Sequence, residues 1–236
     1  MRITLALLAL LFMSSSVHAQ VNLKAAYRLA FTDPTTFNSI LQEHNSIVEE
    51  DDFMEYTTEF KDLKVMNGFE LGLRYKFSAV AFEVGWMNKR RQLRAEGRRV
   101  SNGNSFRNSI TTSINTLSAG LYSFFGPISI GGTIDYNYLK IKSDFEETPS
   151  DFTKSSFIIT DKDEAWSSQF SISYDFSNGG LLGVTIRPYV DVYWSEFDLT
   201  GFNKTINNRG PKPFEPSLKE TFATWGISFI LYNGQQ

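Results

Sequence analysis

The chain has 236 residues, a formal charge of −3 and no cysteine. The missing cysteine excludes a disulfide framework, thiolate metal sites and a lipid-modified cysteine, and the small negative charge gives no general pull toward nucleic acid. Phe, Tyr and Trp make up 15% of the residues, a share that suits strands and membrane–water interfaces.

Met1-Arg2 supplies a positive charge, Ile3 to Met13 is apolar, and Val17-His18-Ala19 places small residues where a signal peptidase cuts. The apolar run is shorter than the roughly 20 residues of a membrane helix. Residues 1–19 therefore read as a secretory signal peptide and 20–236 as the mature domain. No other stretch has the roughly 18 apolar residues of a membrane helix.

From there the chain alternates with a period of two, the mark of strands with one apolar face. Val21, Leu23, Ala25, Tyr27, Leu29 and Phe31 share one face, and Lys24, Ala26 and Arg28 the other. Asp33-Pro34 predicts a helix start with a capping Asp. Phe37, Ile40, Leu41, His44, Ile47 and Val48 follow at helical spacing, so a short amphipathic helix is expected over the barrel mouth or in the outer leaflet. Phe69, Leu71, Leu73, Tyr75 and Phe77 then alternate with Glu70, Gly72, Arg74 and Lys76, and after a turn near Ser78, Val80, Phe82, Val84 and Trp86 alternate with Glu83 and Met87.

A basic run follows, Lys89, Arg90, Arg91, Arg94, Arg98, Arg99 and Arg107, and is expected in a loop spanning roughly residues 90–110. In the fourth strand either Leu117, Ala119 and Leu121 or Ile110, Ile114, Tyr122 and Phe124 form the apolar face. Beyond Gly126-Pro127, Ile128, Ile130, Ile134, Tyr136 and Tyr138 alternate with Ser129, Thr133, Asp135 and Asn137. Trp166, Phe170, Ile172, Tyr174 and Phe176 alternate with Gln169 and Asp175. Ser177-Asn178-Gly179-Gly180 signals a turn. Leu182, Val184, Ile186, Val190, Val192 and Trp194 alternate with Arg187, Tyr189 and Asp191, where Pro188 predicts a bulge or bend. Trp225, Ile227, Phe229 and Leu231 close the series.

Where parity is clear, the apolar face carries no charge and the other face carries many. A soluble sandwich or lipocalin turns its apolar face inward, whereas membrane strands of roughly 9–11 residues present an apolar band to lipid around a polar interior. Long connections near 32–62, 90–110, 143–164 and 197–219 alternate with short turns near 78, 126 and 178, as outer loops and periplasmic turns do. The expected fold is all-β: a closed antiparallel up-and-down transmembrane barrel of about eight strands. Lys24, Arg28, Glu70, Arg74, Glu83, Asp135, Arg187 and Asp191 are expected to pair inside it.

This pattern resembles the small eight-stranded outer-membrane barrels of the OmpA/OmpX type, and in particular the stand-alone barrels of Bacteroidetes. The resemblance covers the mature chain and implies a Gram-negative outer-membrane location, periplasmic termini and handling by the outer-membrane assembly machinery. The last strand departs from the proteobacterial pattern of a terminal aromatic, because the chain runs on through Tyr232-Asn233-Gly234-Gln235-Gln236.

Function is sought in the loops. The first expected loop is acidic, with Glu43, Glu49, Glu50, Asp51, Asp52, Glu55 and Glu59, and is expected to meet and neutralise the basic one. Alternatively Arg90, Arg91, Arg94, Arg98 and Arg99 hold lipopolysaccharide phosphates, to which planar guanidinium is matched. The third-loop carboxylates Asp144, Glu146, Glu147, Asp151, Asp161, Asp163 and Glu164 fit no calcium loop and read as a solvated face. Gly210-Pro211-Lys212-Pro213 reads as a stiff exposed segment. His44 is the one histidine past residue 19, with Ser39, Glu43 and Ser46 nearby but no nucleophile motif. The expected protein is non-enzymatic and takes no cofactor, metal or nucleic acid. Its role is envelope-structural or surface-interacting, with a transport or secretion-accessory barrel as the alternative.

Overall fold

A computed structural model of the protein describes residues 20–50, 54–148, 155–176, 182–207 and 218–233. The expected signal peptide, Asp51, Asp52, Asp151, the turn at Ser177-Asn178-Gly179-Gly180 and Gly210-Pro211-Lys212-Pro213 lie outside these residues. The alternating segments form strands β1 (Gln20–Thr32), β3 (Val65–Phe77), β4 (Val80–Arg99), β5 (Ser105–Phe125), β6 (Ile128–Thr148), β7 (Ser155–Asp175), β8 (Leu182–Tyr193) and β11 (Thr224–Asn233). Each pairs antiparallel with the next, and β11 returns to β1, so the eight close into a ring. Short added pieces are β2 (Met54–Thr58) on the upper part of β4, and a β9 (Phe197–Asp198) with β10 (Lys219–Glu220) pair.

Parity then decides orientation. Val21, Leu23, Leu71, Leu73, Leu117, Leu121, Ile130, Phe170, Val190 and Phe229 are exposed on the outside, while Lys24, Arg28, Glu70, Arg74, Glu83, Asp135, Arg187 and Asp191 are buried within. The open choice in β5 is settled: Leu117 and Leu121 face out, and Ile110, Ile114, Tyr122 and Phe124 face in. Aromatic pairs ring the apolar band. Phe31–Trp225, Phe69–Trp86 and Tyr136–Trp166 lie at the loop end, with Tyr75–Phe77 and Tyr174–Phe176 at the turn end. Such girdles mark the two membrane–water interfaces. The tight turn between β5 and β6 places Gly126 at φ 63°, the left-handed region that glycine enters without steric cost.

Three expectations are corrected. Residues 90–110 and 143–164 are mostly not loops. β4 through β7 run for 20 or 21 residues and stand well above the girdle, whereas β1, β3, β8 and β11 have 10 to 13. The extension holds because alternation continues past the membrane: Leu93, Ala95 and Gly97 are buried and Arg94, Glu96 and Arg98 exposed. Second, of the bulge or bend expected at Pro188, β8 has no bulge. Its register with β11 is continuous, and its pairing with β7 lapses between Ser171↔Tyr189 and Tyr174↔Ile186 and resumes unshifted. Pro188 faces outward, and the missing amide simply interrupts one ladder. Third, Asp33 does not cap the helix that follows it.

That helix, α1 (Thr35–Glu49), lies over the mouth and buries Phe37, Ile40, Leu41 and Val48. It packs against the inner face of the raised half-sheet, where Leu93, Ala95, Ile110, Leu139 and Ile141 continue its apolar cluster. Burying each large side chain contributes about 1.5–3 kcal/mol before entropy. A second short helix, α2 (Thr200–Ile206), supplies Phe202, whose ring stacks on Phe37 at 5.2 Å. Asn45 fastens the roof by a reciprocal pair with Phe60, donating to its carbonyl at 2.9 Å and accepting from its amide at 3.1 Å. The amides of Thr36 and Phe37 at the start of α1 donate to the Glu220 carboxylate at 2.6 and 3.2 Å. The N-terminal turn is thus capped from β10, and Asp33 instead accepts from Asn38 and Lys64.

Candidate functional site

Two regions collect the polar chemistry: the bore and the outer face of the raised half-sheet. In the bore, Glu83 is the hub. Its carboxylate accepts from Lys24 of β1 at 2.7 Å, Arg74 of β3 at 2.8 Å, Arg187 of β8 at 2.9 and 3.0 Å and Tyr232 of β11 at 3.0 Å. Lys24 also pairs with Glu70, which reaches Arg28 at 3.5 Å. Arg187 lies 4.2 Å over the Tyr122 ring and Arg28 4.0 Å over Tyr189. Gly226 makes room for that second stack, since a Cβ there would lie 2.6 Å from the Tyr189 hydroxyl.

A second group surrounds Asp191, which accepts from Lys89 at 2.9 Å, Gln169 at 2.7 Å and Thr224 at 2.6 Å. Asp135 accepts from Thr133 at 2.6 Å and is in no described ion pair. The structure thus brings six of the expected interior residues, Lys24, Arg28, Glu70, Arg74, Glu83 and Arg187, into one network and leaves Asp135 and Asp191 outside it. Lys89, assigned from sequence to the basic loop, is instead inside and 1% exposed. Its signal was its parity with Glu83 and Met87. Among the described residues, five buried cations (Lys24, Arg28, Arg74, Lys89, Arg187) share the bore with five buried carboxylates (Glu70, Glu83, Asp135, Asp175, Asp191), and a sixth buried carboxylate, Glu220, lies at the roof. Charges taken out of water must be compensated this way.

The candidate arginines do not form one patch. Because β4 remains a strand, Arg90, Arg94 and Arg98 share the outward parity of Trp86, while Arg91 and Arg99 have the inward parity of Met87 and Lys89. On the outside, register builds rows that run across the strands. The girdle row Trp86–Leu117–Tyr136–Trp166 is followed by Asn88–Asn115–Tyr138–Glu164, then by Asn67–Arg90–Ser113–Lys140, and then by Gln92–Thr111–Lys142. On these strands cations therefore begin two rows above Trp86, Leu117 and Tyr136 and one row above Phe69 and Tyr138. Higher up, Arg107 pairs with Glu96 at 3.0 Å, and Lys142 with Asp144 at 2.7 Å. On the inner face Arg99 pairs with Glu147 at 3.0 Å. Among the described residues, Arg90, Arg91, Arg94 and Arg98 are in no ion pair, and Arg94 donates to Gln92.

The acidic first loop and the basic segment meet as expected, although no described ion pair joins them, Asp51 and Asp52 lying outside the described residues. β2 does join β4, with Glu55 opposite Arg98, yet the described ion pairs of Arg99 and Arg107 run to Glu96, Glu146 and Glu147. Neighbours along the β4–β5–β6 ladder are nearer than a separate loop.

His44 packs under the roof against Tyr56 and Phe60, its Nε2 3.2 Å from the Tyr56 hydroxyl. Burial pushes the imidazole below its ordinary value and raises the Tyr56 phenol to about 12, so both are neutral at physiological pH. Neither nearby serine faces the ring: Ser39 donates to the Thr35 carbonyl at 2.8 Å and Ser46 to the Gln42 carbonyl at 3.2 Å.

The closed ring, lipid-facing band, two aromatic girdles and filled bore define a small transmembrane β-barrel of the eight-stranded outer-membrane type. No protein-family model matches the chain, and no curated protein matches it. Similar solved structures include Ail, the attachment invasion locus protein of Yersinia pestis, in complex with the heparin analogue sucrose octasulfate. It is 10% identical over 89% of this chain and 97% of that one, with a TM-score of 0.35. Neisserial surface protein A is 6% identical over 91% and 97%, with a TM-score of 0.38. The outer membrane protease OmpT from Escherichia coli is 9% identical over 92% and 95%, with a TM-score of 0.35.

Proposed function

We propose that the chain is a non-enzymatic, non-conducting barrel of the bacterial outer membrane that stabilises the envelope and contacts lipopolysaccharide through its outer face. The bore carries this reading. Charged side chains bonded across it fill it at membrane height, and the apolar cluster beneath α1 and α2 closes it above. Only helices and closed barrels satisfy their backbone polar groups within hydrocarbon. The short turns and both termini then face the periplasm, reached through the secretion route and the outer-membrane assembly machinery. Lipopolysaccharide contact is supported by Arg90, Lys140 and Arg94, which follow the girdle residues Trp86 and Tyr136 toward the loop end of their own strands, the side on which lipid phosphates lie. The alternative, passage of a small apolar solute or a secretion-accessory role, would require a path past Arg74, Glu83 and Arg187. Both of those arginines are bonded to Glu83. Two serines turned back onto their own helix support a non-catalytic His44.

Cell fractionation with heated and unheated gel samples tests the location, and the quadruple variant R90Q/R94Q/R98Q/K140Q tests the contact. The expected result is an outer-membrane band whose mobility shifts on boiling, with lipopolysaccharide co-purification weakened in the variant. A soluble periplasmic product would refute the location. Unchanged co-purification would refute the contact.

A further inference from the structure

Arg90 borders a groove of about 520 Å³ on the outer face where β1, β3 and β4 meet. Tyr27 and Phe69 form its lower side at girdle height, and Asn67, Asn88, Arg90 and Gln92 its upper side. Register sets this arrangement: Tyr27 is opposite Phe69, Phe69 opposite Asn88, and Asn67 opposite Arg90. The polar groups have capacity left for a ligand. Asn88 spends its amide donors on Ser113 and Asn115, both at 2.9 Å, which leaves its carbonyl oxygen as an acceptor. Gln92 accepts from Arg94 at 3.2 Å through its oxygen, which leaves its amide as a donor. Arg90 is in no ion pair among the described residues, whereas Arg107, higher on the same face, already has a carboxylate.

We infer that this groove seats the phosphorylated sugar headgroup of an outer-leaflet glycolipid. This rests on the lipopolysaccharide reading above and assigns it a site. A guanidinium free of carboxylates holds phosphate by charge-assisted hydrogen bonds. Amides offering both donors and acceptors match sugar hydroxyls, and the two aromatic side chains present apolar surface to the C–H face of a pyranose. Below the groove the same outward face continues through Leu71 and Leu73 into the apolar band, so an acyl chain attached to the headgroup descends along it. A free sugar phosphate would have no use for that continuity.

The test uses the folded full chain in phosphatidylethanolamine vesicles doped in turn with a bis-phosphorylated glucosamine-disaccharide lipid, its dephosphorylated form, or phosphatidylglycerol. Bound lipid is read by native mass spectrometry, and folding by the gel shift on boiling. The bis-phosphorylated lipid is expected to be retained in preference to both others. R90Q should lower that retention about tenfold, the loss of one charge-assisted hydrogen bond at a wet surface. N67A should lower it without changing phosphatidylglycerol binding. Full retention by R90Q, or phosphatidylglycerol binding as well as the glycolipid, overturns the assignment. Loss in R94Q/K140Q/K142Q but not in R90Q overturns the groove and leaves the broader contact standing, whereas loss in neither overturns both.

Discussion

Replacing Glu83 with Gln removes one negative charge from the point where β1, β3, β4, β8 and β11 are tied together. Lys24, Arg74 and Arg187 all donate to this carboxylate, at 2.7 to 3.0 Å. In the variant they keep their charges, and the buried Glu70 is already paired with Lys24 and Arg28. Removing one partner of a buried pair typically costs about 3–5 kcal/mol, because the other charge stays buried. Three cations share this partner, so the upper half of that range is expected for E83Q. Gln retains one acceptor oxygen and nearly the same volume, so the loss reports charge rather than a cavity. Urea unfolding of the refolded barrel in lipid vesicles, followed by tryptophan fluorescence, measures it. The double variant E83Q/R187Q should recover part of the loss, since it removes a cation together with the anion. A change below about 0.5 kcal/mol for E83Q, the range of ordinary surface substitutions, would refute the hub.

Glu220→Ala removes the cap of α1 and should cost about 1–2 kcal/mol of local stability, read as faster amide exchange at Thr36 and Phe37 with the barrel's gel shift unchanged. Unaltered exchange would place the cap elsewhere. The roof should also weaken in acid. His44 is held below its ordinary value of 6.5 by burial, so the unfolded segment takes up a proton more readily than the folded one. The roof is therefore at full stability above about pH 6.5 and loses it as pH falls through the folded value. Protease sensitivity of α1 should rise from about pH 7.5 to about pH 5, and H44Q should flatten that rise; an equal rise in H44Q would discard the explanation. Gly226→Val should displace Tyr189 from Arg28, because even a Cβ would sit 2.1 Å from the Leu29 carbonyl oxygen and 2.6 Å from the Tyr189 hydroxyl. Overpacking of this kind costs about 1–3 kcal/mol, and wild-type refolding yield and stability in the variant would contradict the tight interior.

The barrel was legible because lipid tolerates no charge, which makes parity clean wherever a strand crosses the membrane. Lys24, Glu70, Arg74, Glu83 and Arg187 all fall on the charged parity and all face in. Above the girdle water wets the outer face, so charge there no longer separates strand from loop, and β4 runs on past the stretch that charge marks. A weaker cue persisted: Leu93, Ala95 and Gly97 alternate with Arg94, Glu96 and Arg98. Counting that alternation would have split Arg90, Arg94 and Arg98 from Arg91 and Arg99 and placed Lys89 in the bore. The apolar spacing of Phe37, Ile40, Leu41 and Val48 did reveal α1. Its cap could not be read, because Glu220 lies more than 180 residues away in the chain and no local pattern encodes that meeting. The Asp33-Pro34 signal was real chemistry outcompeted by Lys64 and Asn38 for the same carboxylate.

Current through single molecules in a planar bilayer tests the filled bore most directly. The wild-type chain, refolded and inserted, is expected to give no conductance steps at moderate voltage, because Arg74 and Arg187 are both bonded to Glu83 within the bore. Removing that contact and the roof together, by E83A/R187A with residues 35–49 deleted, should introduce steps if the variant retains its gel shift. Regular steps from the wild-type protein would contradict a closed, plugged barrel.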